Sequence, residues 1–263
     1  MVKLAANLSM MFTELPFLDR FAAAAQAGFG AVEFLFPYEH SPEEVAGALK
    51  DNGLELVLFN LPAGDWAGGE RGLGALPGRE AECRAGAALA LEYARATGCR
   101  QLHLMAGITT GLDQDACRAA LVENLRHAAD LVEGDGINIL LEPINTRVDM
   151  PGYFYDTSAA ALAVMAEAGR ANVKLQYDIY HMEIMEGDVA ATIERLLPVI
   201  GHMQLADVPG RGEPGTGTID WPALFAHIEA LGYGGWIGCE YRPVAGTVAG
   251  LGWAAPYLAK PGG

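Results

Sequence analysis

The chain has 263 residues, 51% of them hydrophobic, with 33 acidic against 17 basic side chains and a formal net charge of −16. That size suits one α/β unit with a large core. The surplus of acid argues against the phosphate backbone of nucleic acid and against anionic membrane surfaces, both of which need a basic footprint. It leaves room for a local basic pocket that takes a small anion. The four cysteines, Cys83, Cys99, Cys117 and Cys239, make no C-x-x-C pair, which suits a reducing compartment and weakens any structural zinc site. No apolar run is long enough to span a bilayer and no signal peptide is expected, so a soluble, cytoplasmic protein is expected.

Strand-like runs and helical stretches alternate along the whole length without a composition break, so residues 1–263 are expected to form a single domain. The first strand is expected at 3–7, followed by a helix near 16–27 that Gly28 and Gly30 close. A second strand covers 31–34, and Ser41-Pro42-Glu43-Glu44 opens the next helix with a cap, a first-turn proline and early acids. The third strand, 54–60, leaves through a glycine-rich loop around 64–78 into a long helix at 79–97. Strand four at 101–105, a helix at 113–133 and strand five at 137–142 follow. Residues 143–156 suggest a loop with a small hairpin, before a helix at 158–169 and strand six at 173–178. The last units are a helix at 188–197, a strand at 200–206, a helix at 221–231, a strand at 236–240, and helical structure between 244 and 259.

Eight strand–helix units in this length predict a (β/α)8 barrel. A doubly wound sheet competes, but the first β–α turn, Leu8-Ser9-Met10-Met11-Phe12, has no G-x-G-x-x-G and no P-loop motif occurs anywhere. In a barrel, residues at the C-terminal ends of the strands share one mouth. Glu142, Asp178, Gln204 and Glu240 end four neighbouring strands, the fifth to the eighth. Three carboxylates and an amide carbonyl form an all-oxygen set suited to Mg²⁺ or Mn²⁺. Without a cation, carboxylates so placed repel one another and hold protons.

His181, a helical turn beyond Asp178, is a candidate metal ligand, substrate hydrogen-bond partner or proton relay. His202 shares a strand face with Gln204 and is expected to support it or to contact substrate. His103, near the end of strand four, carries a weaker signal. Arg211, in the Gly/Pro loop 207–217, presents a planar cation that suits a substrate carboxylate. Phe36, Trp66, Tyr153 and Phe154 are candidates to wall the site from water.

Several segments resemble the hydroxypyruvate isomerases, members of the xylose-isomerase-like barrels. They are Val32-Glu33-Phe34-Leu35-Phe36-Pro37-Tyr38, Leu141-Glu142-Pro143-Ile144-Asn145-Thr146-Arg147, the run from Gly201 through Gln204 to Arg211, Gly215-Thr216-Gly217, and Gly234 through Glu240 to Pro243. The resemblance covers essentially the whole chain. It implies a metal on Glu142, Asp178, Gln204 and Glu240, the two glutamates as acid–base groups, a keto-acid or sugar-acid substrate, and a homodimer or homotetramer. Gln204 stands where the similar ketose 3-epimerases typically carry histidine, which favours the isomerase; 2-oxo-tetronate isomerases are not separated from it.

The expected reaction interconverts hydroxypyruvate and tartronate semialdehyde through an enediolate, with Arg211 on the carboxylate. Two rivals belong to other classes. An apurinic-site endonuclease needs a histidine-rich multi-metal cluster and a basic face, and a non-catalytic sugar-acid binding protein needs only the fold.

Overall fold

A computed structural model describes residues 1–258. Eight parallel strands close into a barrel in sequence order: β1 Lys3–Asn7, β2 Ala31–Phe34, β3 Glu55–Asn60, β4 Gln101–His103, β5 Asn138–Leu141, β6 Val173–Asp178, β7 Ile200–Leu205 and β8 Trp236–Cys239. The ring is completed by β8 lying along β1, from Lys3 beside Trp236 to Ala6 beside Cys239. The helices are α1 Asp19–Gln26, α2 Pro42–Asn52, α3 Glu80–Thr97, α4 Gln114–Val132, α5 Ser158–Ala168, α6 Ile179–Met185, α7 Val189–Leu196 and α8 Trp221–Ala230, with a 3₁₀ helix at Ala249–Ala254. Among the described residues no helix is long and apolar enough to cross a membrane.

The expected alternation of strands and helices is present throughout, and the differences have local causes. Glu142 and Glu240 stand one residue beyond β5 and β8 rather than inside them. The segment 143–156 makes no hairpin of its own. It crosses to the loop after β4 instead, where Ile108 and Tyr153 form an antiparallel bridge and Phe154 N donates to Gly107 O at 3.1 Å. Helix α6 is an addition that the alternating pattern of β6 hides: Asp178 ends the strand and caps the helix, its Oδ1 accepting from Tyr180 N at 2.8 Å. The final helical stretch, expected between 244 and 259, is confined to the 3₁₀ helix; residue 259 lies outside the described residues.

Two irregularities of register decide what faces the barrel axis. Leu175 pairs with Ile200, but the next residue, Gln176, pairs with His202, so Gly201 is an extra residue on β7. Beyond that bulge Asp178 lies beside Gln204, and Gln204 beside Gly238. Because side chains alternate along a strand, the shift brings Gln176, Asp178, His202 and Gln204 onto one interior face. Similarly, Val57 is extra on β3, so that Val32 pairs with Leu56 and Glu33 with Leu58.

The interior is tight where β8 meets β2. Gly238 faces the Glu33 carboxylate so closely that an added Cβ would stand 2.1 Å from Glu33 Oε2. Gly238→Ala is therefore expected to push Glu33 off its partners and to destabilise the fold by about 1–3 kcal/mol, the usual cost of overpacking. A lower urea midpoint with an unchanged m-value is the expected signature; an unshifted midpoint would show that Glu33 has room to move.

Candidate active site

The C-terminal ends of the strands open into a cavity of about 460 Å³ lined by His103, Glu142, Gln176, His181, Arg211 and Glu240, among others. Below it lies a buried polar layer. Glu33 Oε1 accepts from Asn7 Nδ2 at 2.9 Å and from Gln204 Nε2 at 2.8 Å, while Glu33 Oε2 meets His202 Nε2 at 2.6 Å. Asn7 and Gln204 also donate to Glu240 Oε2, at 3.1 and 2.5 Å. Gln176 Nε2 bridges Gln204 Oε1 at 2.7 Å and Glu142 Oε2 at 3.0 Å. Three amides thus tie Glu33, Glu142 and Glu240 into one network.

His202 stands behind Glu33 and is not among the residues that line this cavity. Glu33, Asn7 and Gln176 carry much of this network yet do not stand out as site residues in the sequence. Their signal is a polar residue inside an otherwise apolar, fully buried parallel strand, where each such residue must find partners.

Above this layer, Asp178 divides its oxygens: Oδ1 caps α6, and Oδ2 is buried with no hydrogen-bond partner among the described residues. Glu142 Oε1 is likewise buried and unpartnered. His181 Nε2 lies 3.7 Å from the latter and 3.6 Å from the former. Its tautomer follows from Asn145. Asn145 Oδ1 accepts from Val148 N and Asp149 N at 2.9 and 3.0 Å, so its Nδ2 is the donor that faces Asp149 Oδ2 and His181 Nδ1, each at 2.7 Å. Asn145 thus makes His181 Nδ1 an acceptor and puts the proton on Nε2, which faces the two bare carboxylate oxygens and, at 3.5 Å, Arg211 Nη2.

Arg211 reaches this centre from the β7–α8 loop. Its Nη2 is 2.6 Å from Glu240 Oε1 and 3.9 Å from Asp178 Oδ2, and its Nη1 donates to Asp149 Oδ1 at 3.0 Å. The structure thus brings Glu142, Asp178, Gln204, Glu240, His181 and Arg211 together, but Arg211 is ion-paired within the site rather than left free. His103 belongs to the site more firmly than its sequence signal suggests: it lines the cavity, is buried, and sets Nδ1 3.5 Å from Glu142 Oε2. Phe36 and Trp66 line the cavity, edge to face with centroids 5.0 Å apart, whereas Tyr153 turns its hydroxyl to Ala106 N.

Burial sets the proton affinities. It raises the Glu142 carboxyl well above its usual range, with the charges of Glu240 and Asp178 adding to the effect. Glu240 is pushed up to about 8 and Asp178 to about 6, again by burial, against which Arg211 pulls both down. His103 is pushed down to about 3 by burial, and His181 well below its ordinary value by burial and by Arg211, so both rings are neutral.

This donor set fits a cation. Glu142, Asp178 and His181 offer atoms that all lie within 4.8 Å of one another, and the two carboxylate oxygens among them are bare and buried. Two bare carboxylate oxygens with His181 within the same reach suit a divalent cation. Gln204 and Glu240, the other expected ligands, are engaged with Gln176 and Arg211. The arrangement is a candidate metal site.

The chain belongs to the xylose isomerase-like TIM barrel family, which matches it over residues 21–257. Within that family it is 55% identical over 261 residues to the 2-oxo-tetronate isomerase of Cupriavidus necator, covering 99% of this chain and all of that one. It is 49% identical over 258 residues to the hydroxypyruvate isomerase of Escherichia coli, covering 98% and 100%. A Brucella melitensis crystal structure described as an AP endonuclease, family 2, superposes with a TM-score of 0.96 at 50% identity, covering 98% of this chain and 100% of that one.

Because folding raises the proton affinity of Asp178 from 3.8 to about 6 and of Glu240 from 4.5 to about 8, the folded chain binds more protons than the unfolded one between those limits. The stability this contributes is complete at low pH and is lost as pH rises through about 6 and then about 8. In chelator, the thermal midpoint is expected to fall across that range, and saturating Mg²⁺ or Mn²⁺ to flatten the fall by replacing the protons. A chelated midpoint that rises over the same range would contradict these assignments.

Proposed function

We propose that the chain is a metal-dependent isomerase of a short 2-oxo acid that interconverts hydroxypyruvate and tartronate semialdehyde through an enediolate. The observation that carries the proposal is the pairing of two unpartnered carboxylate oxygens, Glu142 Oε1 and Asp178 Oδ2, with a second glutamate of raised proton affinity, Glu240, across one small cavity. The similar isomerases from C. necator and E. coli support it over essentially the full chain. The net charge of −16 speaks against a nucleic-acid substrate, and four buried free thiols fit a reducing, cytoplasmic setting.

Glu142, Asp178, Gln204 and Glu240 would hold Mg²⁺ or Mn²⁺, the last two by exchanging their present partners. The bound cation supplies charge stabilisation for the oxyanion that forms when a carbon beside a carbonyl loses its proton. The remaining work falls to the chain. One glutamate, Glu142 or Glu240, takes a proton from C3 of hydroxypyruvate and returns it to C2. A carboxylate with proton affinity raised towards neutrality is a stronger base than an ordinary one and still releases the proton afterwards. One base on one face suffices, because the two carbons are adjacent.

As that proton moves, the hydroxyl proton on O3 passes to O2. His181, held by Asn145 with Nε2–H directed into the site, donates to the developing oxyanion and is placed to mediate the transfer. Arg211 holds Glu240 and Asp149 in place, while Phe36 and Trp66 limit access of water.

The 55% identical relative favours a second substrate, a four-carbon 2-oxo-tetronate, on the same groups. Proton NMR in D₂O with hydroxypyruvate, 2-oxo-tetronates and a ketohexose, with and without chelator, tests the proposal. Deuterium is expected at the carbon next to the carbonyl of an oxo acid, and chelator is expected to stop its uptake. Uptake only into the ketohexose would move the chain to the epimerases. Glu142→Gln and Glu240→Gln are each expected to lower turnover about a hundredfold or more, the range for loss of a general base. Near-normal rates in both would remove the glutamates from the mechanism.

A further inference from the structure

Three arginines line the cavity, and their partners distinguish them. Arg211 has a carboxylate on each terminal nitrogen, Glu240 and Asp149. Arg242 is exposed. Arg71, in the loop between β3 and α3, is half-buried and makes no ion pair among the described residues. Its chain neighbour Glu70 is turned away, onto Arg79 Nη1 at 2.7 Å and Asp65 N at 2.6 Å.

We propose that Arg71 is the anchor for the substrate carboxylate, an inference that rests on the oxo-acid reading above and names the group that selects acids over neutral sugars. The guanidinium is fixed from one side only. Nη1 donates to the carbonyls of Trp66 at 3.0 Å and Glu70 at 2.7 Å, and the guanidinium carbon sits 4.2 Å from the centroid of the Trp66 ring. The other edge, Nε with Nη2, has no protein acceptor among the described residues. That edge is a planar fork which matches the two oxygens of a carboxylate.

The loop beneath it is built to hold that position. Gly72 N donates to Ala63 O at 3.1 Å, and Gly72 forms an antiparallel bridge with Ala106 beyond β4. Gly74 N and Ala75 N continue onto Met105 O and Ala106 O, at 3.0 and 2.7 Å. Gly72 has φ 128°, and an added Cβ would stand 2.5 Å from Met105 O, so only glycine lets the loop lie this close to the barrel. Trp66 is braced in turn by Phe36.

Position on the barrel completes the argument. Glu142 and Glu240 follow β5 and β8 and Asp178 ends β6, whereas Arg71 follows β3, on the other side of the closed ring. A substrate carboxylate is repelled by the acidic cluster and attracted by a cation without an acidic partner; of the two such arginines in the wall among the described residues, Arg71 and Arg242, Arg71 is the half-buried one that its loop holds in place. Bound there, an oxo acid points its carboxylate at Arg71 and presents its carbonyl and hydroxymethyl carbons to Glu142 and Glu240.

The test uses the full chain loaded with Mg²⁺. Arg71→Met is expected to raise KM for hydroxypyruvate roughly ten- to a hundredfold, as for a lost charge-assisted hydrogen-bond pair, with a smaller fall in kcat. Arg71→Lys, which keeps the charge and the stack without the fork, is expected to fall between. Glycerate, an unreactive acid of the same length, is expected to raise the thermal midpoint of the wild type and to lose that effect in Arg71→Met.

A wild-type KM and an undiminished glycerate shift in Arg71→Met would overturn the proposal, as would a change confined to kcat. Should Arg71→Met not fold, Arg71→Lys with a wild-type KM overturns it equally. A wild type that isomerises no oxo acid defeats the isomerase reading alone, because loss of the glycerate shift in the Arg71 variants would still place a carboxylate on Arg71.

Discussion

Four carboxylates share the interior of this barrel with one guanidinium, and the geometry of the mouth follows from that imbalance. Glu33, Glu142 and Glu240 are linked through Asn7, Gln176 and Gln204, with Asp178 beside them, while among the described residues Arg211 supplies the fixed positive charge in contact with the cluster. Removing carboxylates from water is costly unless donors and counter-charge replace it. The amides supply donors without charge, so they satisfy oxygens and leave the electrostatic deficit in place. Proton uptake at Glu142, Asp178 and Glu240 answers the deficit in the ion-free state, and a divalent cation answers it when bound.

The strands do not reach this arrangement by regular pleating alone. Gly201 and Val57 are single extra residues that change the phase of β7 against β6 and of β3 against β2. Without the first, Asp178 would lie beside Met203, an apolar side chain; with it, the neighbour is Gln204. The loop after β7 needs a comparable device. Asp207 accepts from the backbone N–H groups of Val208, Gly215, Gly217 and Ile219, at 2.9 to 3.2 Å, and this collar turns the loop so that Arg211, at φ 53°, reaches inward.

The barrel and the four strand-end oxygens were legible in the sequence because they depend on local pattern: an apolar run of fixed length closed by a polar residue. Glu142, Asp178, Gln204 and Glu240 each show that pattern. Glu33 shows it less, since one acid within Ala31–Phe34 looks the same whether it faces the axis or the helices until the register with β1 and β3 is known. The tautomer of His181 depends on Asn145, 36 positions away. Arg211 is visible as a cation in a Gly/Pro loop, but its ion pairs with Glu240 and Asp149 arise from the folding of that loop. Arg71 lies in a stretch whose periodicity says nothing, and its isolation from acids appears only when Glu70 is seen to turn towards Arg79.

Asp178 divides its two oxygens, one holding the first turn of α6 and the other turned, without a hydrogen-bond partner among the described residues, towards His181 and Arg211. An asparagine in its place has the same shape and keeps a carbonyl for the helix while surrendering the negative charge. Architecture and reactivity are thus separable by a single isosteric exchange. A lineage of this barrel therefore has an easy path to becoming a silent receptor for its former substrate, and such descendants would keep every strand, helix and loop of their ancestor.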